Sequence, residues 1–197
     1  MSKAASTRLS ILHKAFELIY AKGYQATSVD DIIAQTKVTK GAFYYHFKNK
    51  DEMGIAMIHE VLYPGMHESL ITPLLKAKHP TSEIFKMMKV LLQENDFFTI
   101  PYGCPAVNLI EEMGGTHSAF RKALSKLLKE WQKALQQSIE QGKKTGEIRK
   151  EVNAQQVALF ITTGYGGVRN LGKLFGAACY SVYLKELKNY LNGLKKV

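Results

Sequence analysis

Cysteine is scarce in this sequence. Cys104 and Cys179 are far apart and form no CxxC spacing, so neither a disulfide framework nor a paired-thiol zinc site is expected. Reduced thiols and a cytoplasmic location fit that usage. Long apolar runs are missing too: nothing reaches the roughly 18 to 20 uncharged residues that a spanning helix needs, and no membrane partner is expected. The opening stretch, MSKAASTRLSILHK, lacks the apolar core and cleavage site of a signal peptide. Alternating strand-type patterns are nearly absent. No HExxH, GxSxG, P-loop or paired-cysteine motif occurs, and the six histidines are scattered. No metal and no cofactor are therefore expected, and an enzyme reading survives only if folding brings a histidine base to Cys104. Acidic side chains are also in deficit, 17 against 27 Lys and Arg, which leaves a net charge of +10.

That surplus permits a nucleic-acid partner without locating it. Residues 1 to 52 hold eight basic against five acidic side chains, whereas residues 121 to 150 hold nine against three. Solvated helix faces account for scattered lysines just as well. What is plentiful is apolar residue, 46% of 197 positions, enough for a packed core.

The apolar residues recur at helical spacing. Leu12, Ala15, Phe16 and Ile19 mark one face of a first helix, and Gly23 supplies its end. Ser28 with Asp31 three positions on has the form of a capping box for a short second helix. Thr39 caps a third, running to about Phe47, and Asn49 a fourth. A tip is expected at Tyr63–Met66, YPGM. Beyond it a helix opens at Thr81, and the stretch FFTIPYGCPAVNLIEEMGG is broken at Pro101, Gly103 and Pro105 before it resumes as helix. A long amphipathic helix follows to about Gly142–Gly146, another is capped by Asn153, and a last carries Leu184, Leu187, Leu191 and Leu194. The fold class is all-α: a three-helix head and a body of roughly six helices, with the division expected between residues 1–50 and 51–197.

The segment VTKGAFYYHFKNKDEM, residues 38–53, mixes aromatic rings with lysines. Two short helices joined by a tight turn, the second basic and aromatic, make a helix-turn-helix, whose second helix fits a major groove. Phe43 and Phe47, four apart, would pack inward. Lys40, Gly41, Ala42, Tyr44, Tyr45 and His46 would then face out, with Lys48 and Lys50 adding phosphate contacts. The spacing alone equally allows a helical hairpin with every ring in the core.

The run from residue 9 to 53 resembles the DNA-binding domain of TetR-type transcriptional repressors. It carries AxxLxxxxGYxxTSVxxI from Ala15 to Ile32 and a GxFYxHFxxKxxL-like end from Gly41 to Met53. The resemblance implies a homodimer that binds a palindromic double-stranded DNA operator and releases it on binding a small-molecule inducer. By position it also implies that Thr27 and Ser28 meet phosphates and that Thr39, Lys40, Gly41, Ala42, Tyr44, Tyr45 and His46 form the recognition surface, with Lys50 on a phosphate. Thr36 and Lys37 depart from the usual alanine and glycine of the turn; a lysine held left-handed there would cost on the order of 1 kcal/mol. A non-specific basic helical binder of nucleic acid remains the alternative.

The body resembles the family in organisation. YGCPAVNLIEEM is similar to the GCxxxNL signature of a subgroup that includes the repressor of the N-ethylmaleimide reductase operon and senses electrophiles or oxidants. That resemblance implies a reactive Cys104, with Lys173 as a cationic partner. The other reading is a reversible ligand in an apolar pocket lined by Met57, Val61, Phe85, Met88, Leu92, Asn108, Trp131, Phe160 and Tyr165. The run GYGGVRNLG has Arg169 in place of a third glycine and no preceding strand, so it is no dinucleotide site.

Overall fold

The computed structural model describes residues 2–95 and 98–196; Phe97, which opens the FFTIPYGC stretch, lies outside them. The described chain is all-α and has no strand, only a single bridge between Ile148 and Lys195. It divides into two compact units, 1–65 with 105–126 and 66–104 with 127–197.

The first unit holds α1 (Lys3–Lys22), α2 (Val29–Ala34), α3 (Lys40–His46) and the start of α4, residues 50–75, together with α5 at 105–114. The expected caps form. Ser28 and Asp31 make a reciprocal capping box, while the side chains of Thr39 and Asn49 accept from the backbone of Ala42 and Glu52. Gly23 ends α1 with φ at 93°, a conformation in which a β-carbon is strained. Lys37 pays no such cost: among the described residues every left-handed φ belongs to glycine. The turn between α2 and α3 is made without it, which removes the expected strain. Ile11, Leu12, Ala15 and Phe16 of α1 form one buried face with Ile32, Phe43, Phe47 and Met53.

YPGM is not a tip. Residues 63–66 are helical, and the backbone around them widens into π-type turns at Ile58–Leu62 and His67–Ile71. Each wide turn lies just before a proline, Pro64 or Pro73. There the ring would collide with the carbonyl four residues back, and the chain lacks an N–H. A looser i−5 pattern absorbs both defects, as when the Tyr63 N–H donates to the Ile58 carbonyl.

In the second unit, α6 covers 80–94 and begins at Pro80, one residue before the expected Thr81. Thr81 is buried, with both its N–H and hydroxyl donating to Glu147 Oε1 at 3.0 and 2.5 Å. Then come α7 (Ser118–Thr145), whose first residues belong to the other unit, α8 (Ala154–Phe175) and α9 (Ala178–Gly193). Within this unit Leu127, Trp131, Leu135 and Ile139 of α7 are buried, as are Val157, Ile161 and Tyr165 of α8 and Leu184, Leu187 and Leu191 of α9. The corner at Glu147–Arg149 is tied to the end of α9, where Arg149 N–H donates to the Leu194 carbonyl at 3.0 Å.

Candidate nucleic-acid interface

Helix α3 is short, and its two faces differ sharply. Phe43 and Phe47 are fully buried, with ring centroids 5.6 Å apart. Tyr44 is 48% and Tyr45 79% exposed, so these two rings take no part in the core that holds Phe43 and Phe47. Gly41, Thr39 and Lys40 are exposed as well, and Ala42 and His46 are half-buried. The face that results presents hydroxyls, a cation and small residues that permit close backbone approach.

Arg8 of α1 holds the C-terminal end of this helix. Its Nη1 donates to the His46 carbonyl at 3.2 Å, its guanidinium lies 4.5 Å from the Phe47 ring centre, and Nη2 pairs with Glu60 at 2.6 Å. A cation at the negative end of a helix satisfies an orphan carbonyl and its partial charge together.

The hydroxyls expected at phosphates are engaged elsewhere. Thr27 is fully buried and donates to the Gly23 carbonyl at 2.7 Å, so its side chain does not reach the surface. Ser28 is exposed but donates to Asp31 Oδ2 at 2.6 Å, a bond that holds the Asp31 carboxyl below the usual range. Lys40 pairs with Asp30 at 3.0 Å, which raises its pKa. Lys50 lies over the Tyr24 ring at 4.3 Å; partial burial lowers its pKa against the opposing pull of Asp51 and Glu112.

Residue types could not have shown what fixes the link between α1 and α2. Glu112 of α5 accepts from the backbone N–H of Tyr24 at 3.0 Å with one oxygen and of Gln25 at 2.9 Å with the other. The Tyr24 hydroxyl donates to Asp51 at 2.6 Å, and His117 Nε2 lies 3.2 Å from the second Asp51 oxygen. Burial first, then the Asp51 hydrogen bond, drives the Tyr24 phenol far above its ordinary value. The partners stand 87 or 88 positions apart along the chain for Glu112 and 66 for His117, so no local motif announces them.

The body candidates divide between the two units. In the first unit Met57 and Asn108 line a small void with Phe16, Ile19, Tyr20 and Leu109, room for little more than a water. Val61 is buried there as well. In the second unit Met88, Leu92, Trp131 and Tyr165 are buried, with the last two rings edge to face at 5.4 Å. Phe160 is no pocket wall. It is 49% exposed and packs on Tyr190 at 4.4 Å, because it belongs to the outward stripe of α8. Phe85 is only half-buried, with the Lys188 ammonium 5.8 Å from its ring centre.

Cys104 is buried, immediately before the helix that starts at Pro105. Gly103 beside it has φ at 71°, and a β-carbon there would strike Lys173 Cε. Lys173 thus lies against the residue that precedes the cysteine. The neighbouring Arg169, absent from the sequence-based candidates, is fully buried and donates from Nη2 to the carbonyls of Gly103 and Thr99. Among the described residues no helix is long and apolar enough to cross a membrane, and no group of His, Cys, Asp or Glu is arranged to hold a metal ion.

Comparison with known proteins agrees at both ends of the chain. Residues 11–57 match the family described as "Bacterial regulatory proteins, tetR family", and residues 81–183 match "Tetracyclin repressor-like, C-terminal domain". An uncharacterised HTH-type transcriptional regulator in the lacX 3' region of Lactococcus lactis is 32% identical over 134 residues, 68% of each chain. The HTH-type transcriptional repressor NemR of Escherichia coli is 27% identical over 140 residues, 70% of this chain and 69% of its own. A TetR transcriptional regulator from Chloroflexus aurantiacus superposes over 100% of both chains with a TM-score of 0.89 and 26% identity.

Proposed function

Because this chain belongs to the TetR family of DNA-binding transcriptional regulators, which are not enzymes, we propose that it is an effector-responsive repressor that binds a palindromic operator as a homodimer. The observation that carries the reading is the division of α3, with Phe43 and Phe47 locked inside while Tyr44 and Tyr45 stand in solvent. Tyr44, Tyr45, His46, Lys40, Thr39, Gly41 and Ala42 form the groove-facing surface; Ser28 and Lys50 flank it at the phosphates. Thr27 shapes the entry to α2 from inside. Residues 1–50 carry the DNA contacts and residues 51–197 carry effector binding and dimerisation, in the cytoplasm.

The dimer places two copies of α3 in successive major grooves, roughly 34 to 36 Å apart. An effector that favours another separation of the two heads lowers operator affinity without touching DNA. A second reading, covalent sensing at Cys104, has its own support in the Lys173 side chain that lies against Gly103.

Selection of preferred duplexes from random DNA tests the first reading, and an inverted repeat is the expected product. Affinity for that duplex is then measured with and without N-ethylmaleimide, in wild type and Cys104→Ser. Release in wild type alone makes Cys104 the sensor, and release in neither leaves the reversible effector. Binding that depends steeply on salt but has no preferred duplex would reduce the protein to a non-specific binder.

A further inference from the structure

Arg169 is the one fully buried charged side chain among the described residues. Arginine cannot shed its proton to escape burial, and an ion out of water needs both a counter-charge and hydrogen-bond acceptors. Arg169 receives only part of this. Nη2 reaches the carbonyls of Gly103 and Thr99, and the Phe98 and Tyr180 rings lie 5.5 and 5.6 Å from the guanidinium carbon. Nε and Nη1 are buried and make no hydrogen bond of good geometry, while the Tyr180 hydroxyl lies close enough to the guanidinium to hydrogen-bond with it. No carboxylate among the described residues forms an ion pair with Arg169.

The Tyr180 hydroxyl is part of the same cluster. Burial raises its pKa, and the nearby Arg169 cation opposes that rise. Cys104, which is 1% exposed, belongs to the surroundings too. The cluster therefore has one permanent positive charge with more N–H donors than acceptors, a phenol whose oxygen can accept from Arg169 while its O–H can still donate, and two aromatic rings beside the guanidinium.

We propose that Arg169 and Tyr180 are the anion-binding end of the effector site, and that the effector is a small organic carboxylate with a short apolar or aromatic body. A single buried cation is matched by a single negative charge, and a planar carboxylate accepts from guanidinium N–H groups and a phenol together. The Phe98 and Tyr180 rings suit the apolar remainder better than they suit a strongly hydrated phosphate dianion. This assignment rests on the effector-responsive reading above, whose effector it specifies by chemical class.

The test is a calorimetric and thermal-shift titration of the full-length protein at matched ionic strength. Sodium propionate and sodium benzoate are the probes, with propionamide, benzamide and inorganic phosphate as controls. At least one carboxylate is expected to bind saturably and raise Tm by several degrees, while its amide and phosphate do neither. Tyr180→Phe should weaken binding by about tenfold, the loss of one hydrogen bond to a charged group. Arg169→Met should abolish binding and leave the Tm of the free protein equal or higher, since a buried unpaired charge is removed. Should Arg169→Met not fold, Tyr180→Phe and Arg169→Lys decide instead, with the lysine expected to bind at least tenfold more weakly because it lacks the planar fork.

Carboxylate and amide behaving alike would overturn the site, as would wild-type binding in the Arg169 and Tyr180 variants. Binding without release of the selected duplex would overturn the effector assignment. If no preferred duplex exists, the repressor reading falls, yet the titration still decides whether the carboxylate site is real.

Discussion

Adjacent residues of α3 meet opposite fates, and residue type alone could not assign them. Phe43 and Tyr44 are both large and aromatic, yet the first is buried and the second about half exposed. The four-residue spacing of Phe43 and Phe47 made the inward pair legible, because positions four apart share a helix face. Tyr44→Ala should accordingly leave Tm nearly unchanged and weaken operator binding, measured by fluorescence anisotropy on the selected duplex. Phe47→Ala should cost about 3 to 5 kcal/mol of head stability, read from chemical denaturation. Equal destabilisation by both would sink the division of the rings. Thr27 shows the limit of such reading. A threonine beside Ser28 in a helix-start motif looks like a phosphate ligand, but only the folded backbone reveals that its hydroxyl belongs to the Gly23 carbonyl. Tyr183 supplies a pH prediction at this scale, since burial pushes its phenol up to about 12. The folded state then keeps a proton that the unfolded chain releases near 10. Its contribution to stability is complete below pH 10 and is lost as pH rises through about 12. Helicity followed by circular dichroism should therefore collapse at a higher pH in Tyr183→Phe than in wild type, and an unchanged midpoint would refute the assignment.

Helices, by contrast, could largely be read in advance. Periodicity gave their existence, and Ser28, Thr39, Asn49 and Asn153 gave their starts, because capping is a local transaction between residues two or three apart. Prolines misled at Tyr63–Met66, where two widened turns kept the helix going. Connections between elements were invisible for the opposite reason. The Glu112 clamp on Tyr24 and Gln25 joins α5 to the link before α2, and nothing near either partner in sequence encodes it. Its two oxygens accept one N–H each, a charge-assisted pair. Glu112→Gln keeps the shape but turns one acceptor into a donor that faces a backbone N–H. The expected loss is about 1.5 to 3 kcal/mol, together with faster hydrogen exchange at the Tyr24 and Gln25 amides than at those of α1. Exchange as slow as wild type at those two amides would mean that the link is held by the Tyr24–Asp51–His117 chain instead.

For the assembled molecule the informative surface is apolar. Phe160, Leu171 and Leu174 are exposed along α8, and with Gly164 and Gly167 they fall at alternating spacings of four and three, a single face of one helix. Leu159 and Phe175 border that face, and Val182 extends the exposed set onto α9. Leu174 is 79% and Phe175 65% exposed in the single chain, a burial debt that a soluble monomer seldom leaves outstanding. If this stripe is the interface of the homodimer proposed above, it meets itself across the two-fold axis, and an isologous interface of that kind closes without leaving a second sticky patch. Leu174→Glu would then set two like charges near each other across the axis and desolvate both. The variant is expected to sediment as a folded monomer at concentrations where wild type is a dimer, with circular dichroism unchanged. Operator affinity should fall at least a hundredfold, because two tethered heads bind far more tightly than either head alone. A half-site duplex separates this loss from damage to the head: wild type and Leu174→Glu should bind it equally weakly. A variant that remains dimeric, or one that binds the full operator as wild type does, would move the dimer interface off this stripe.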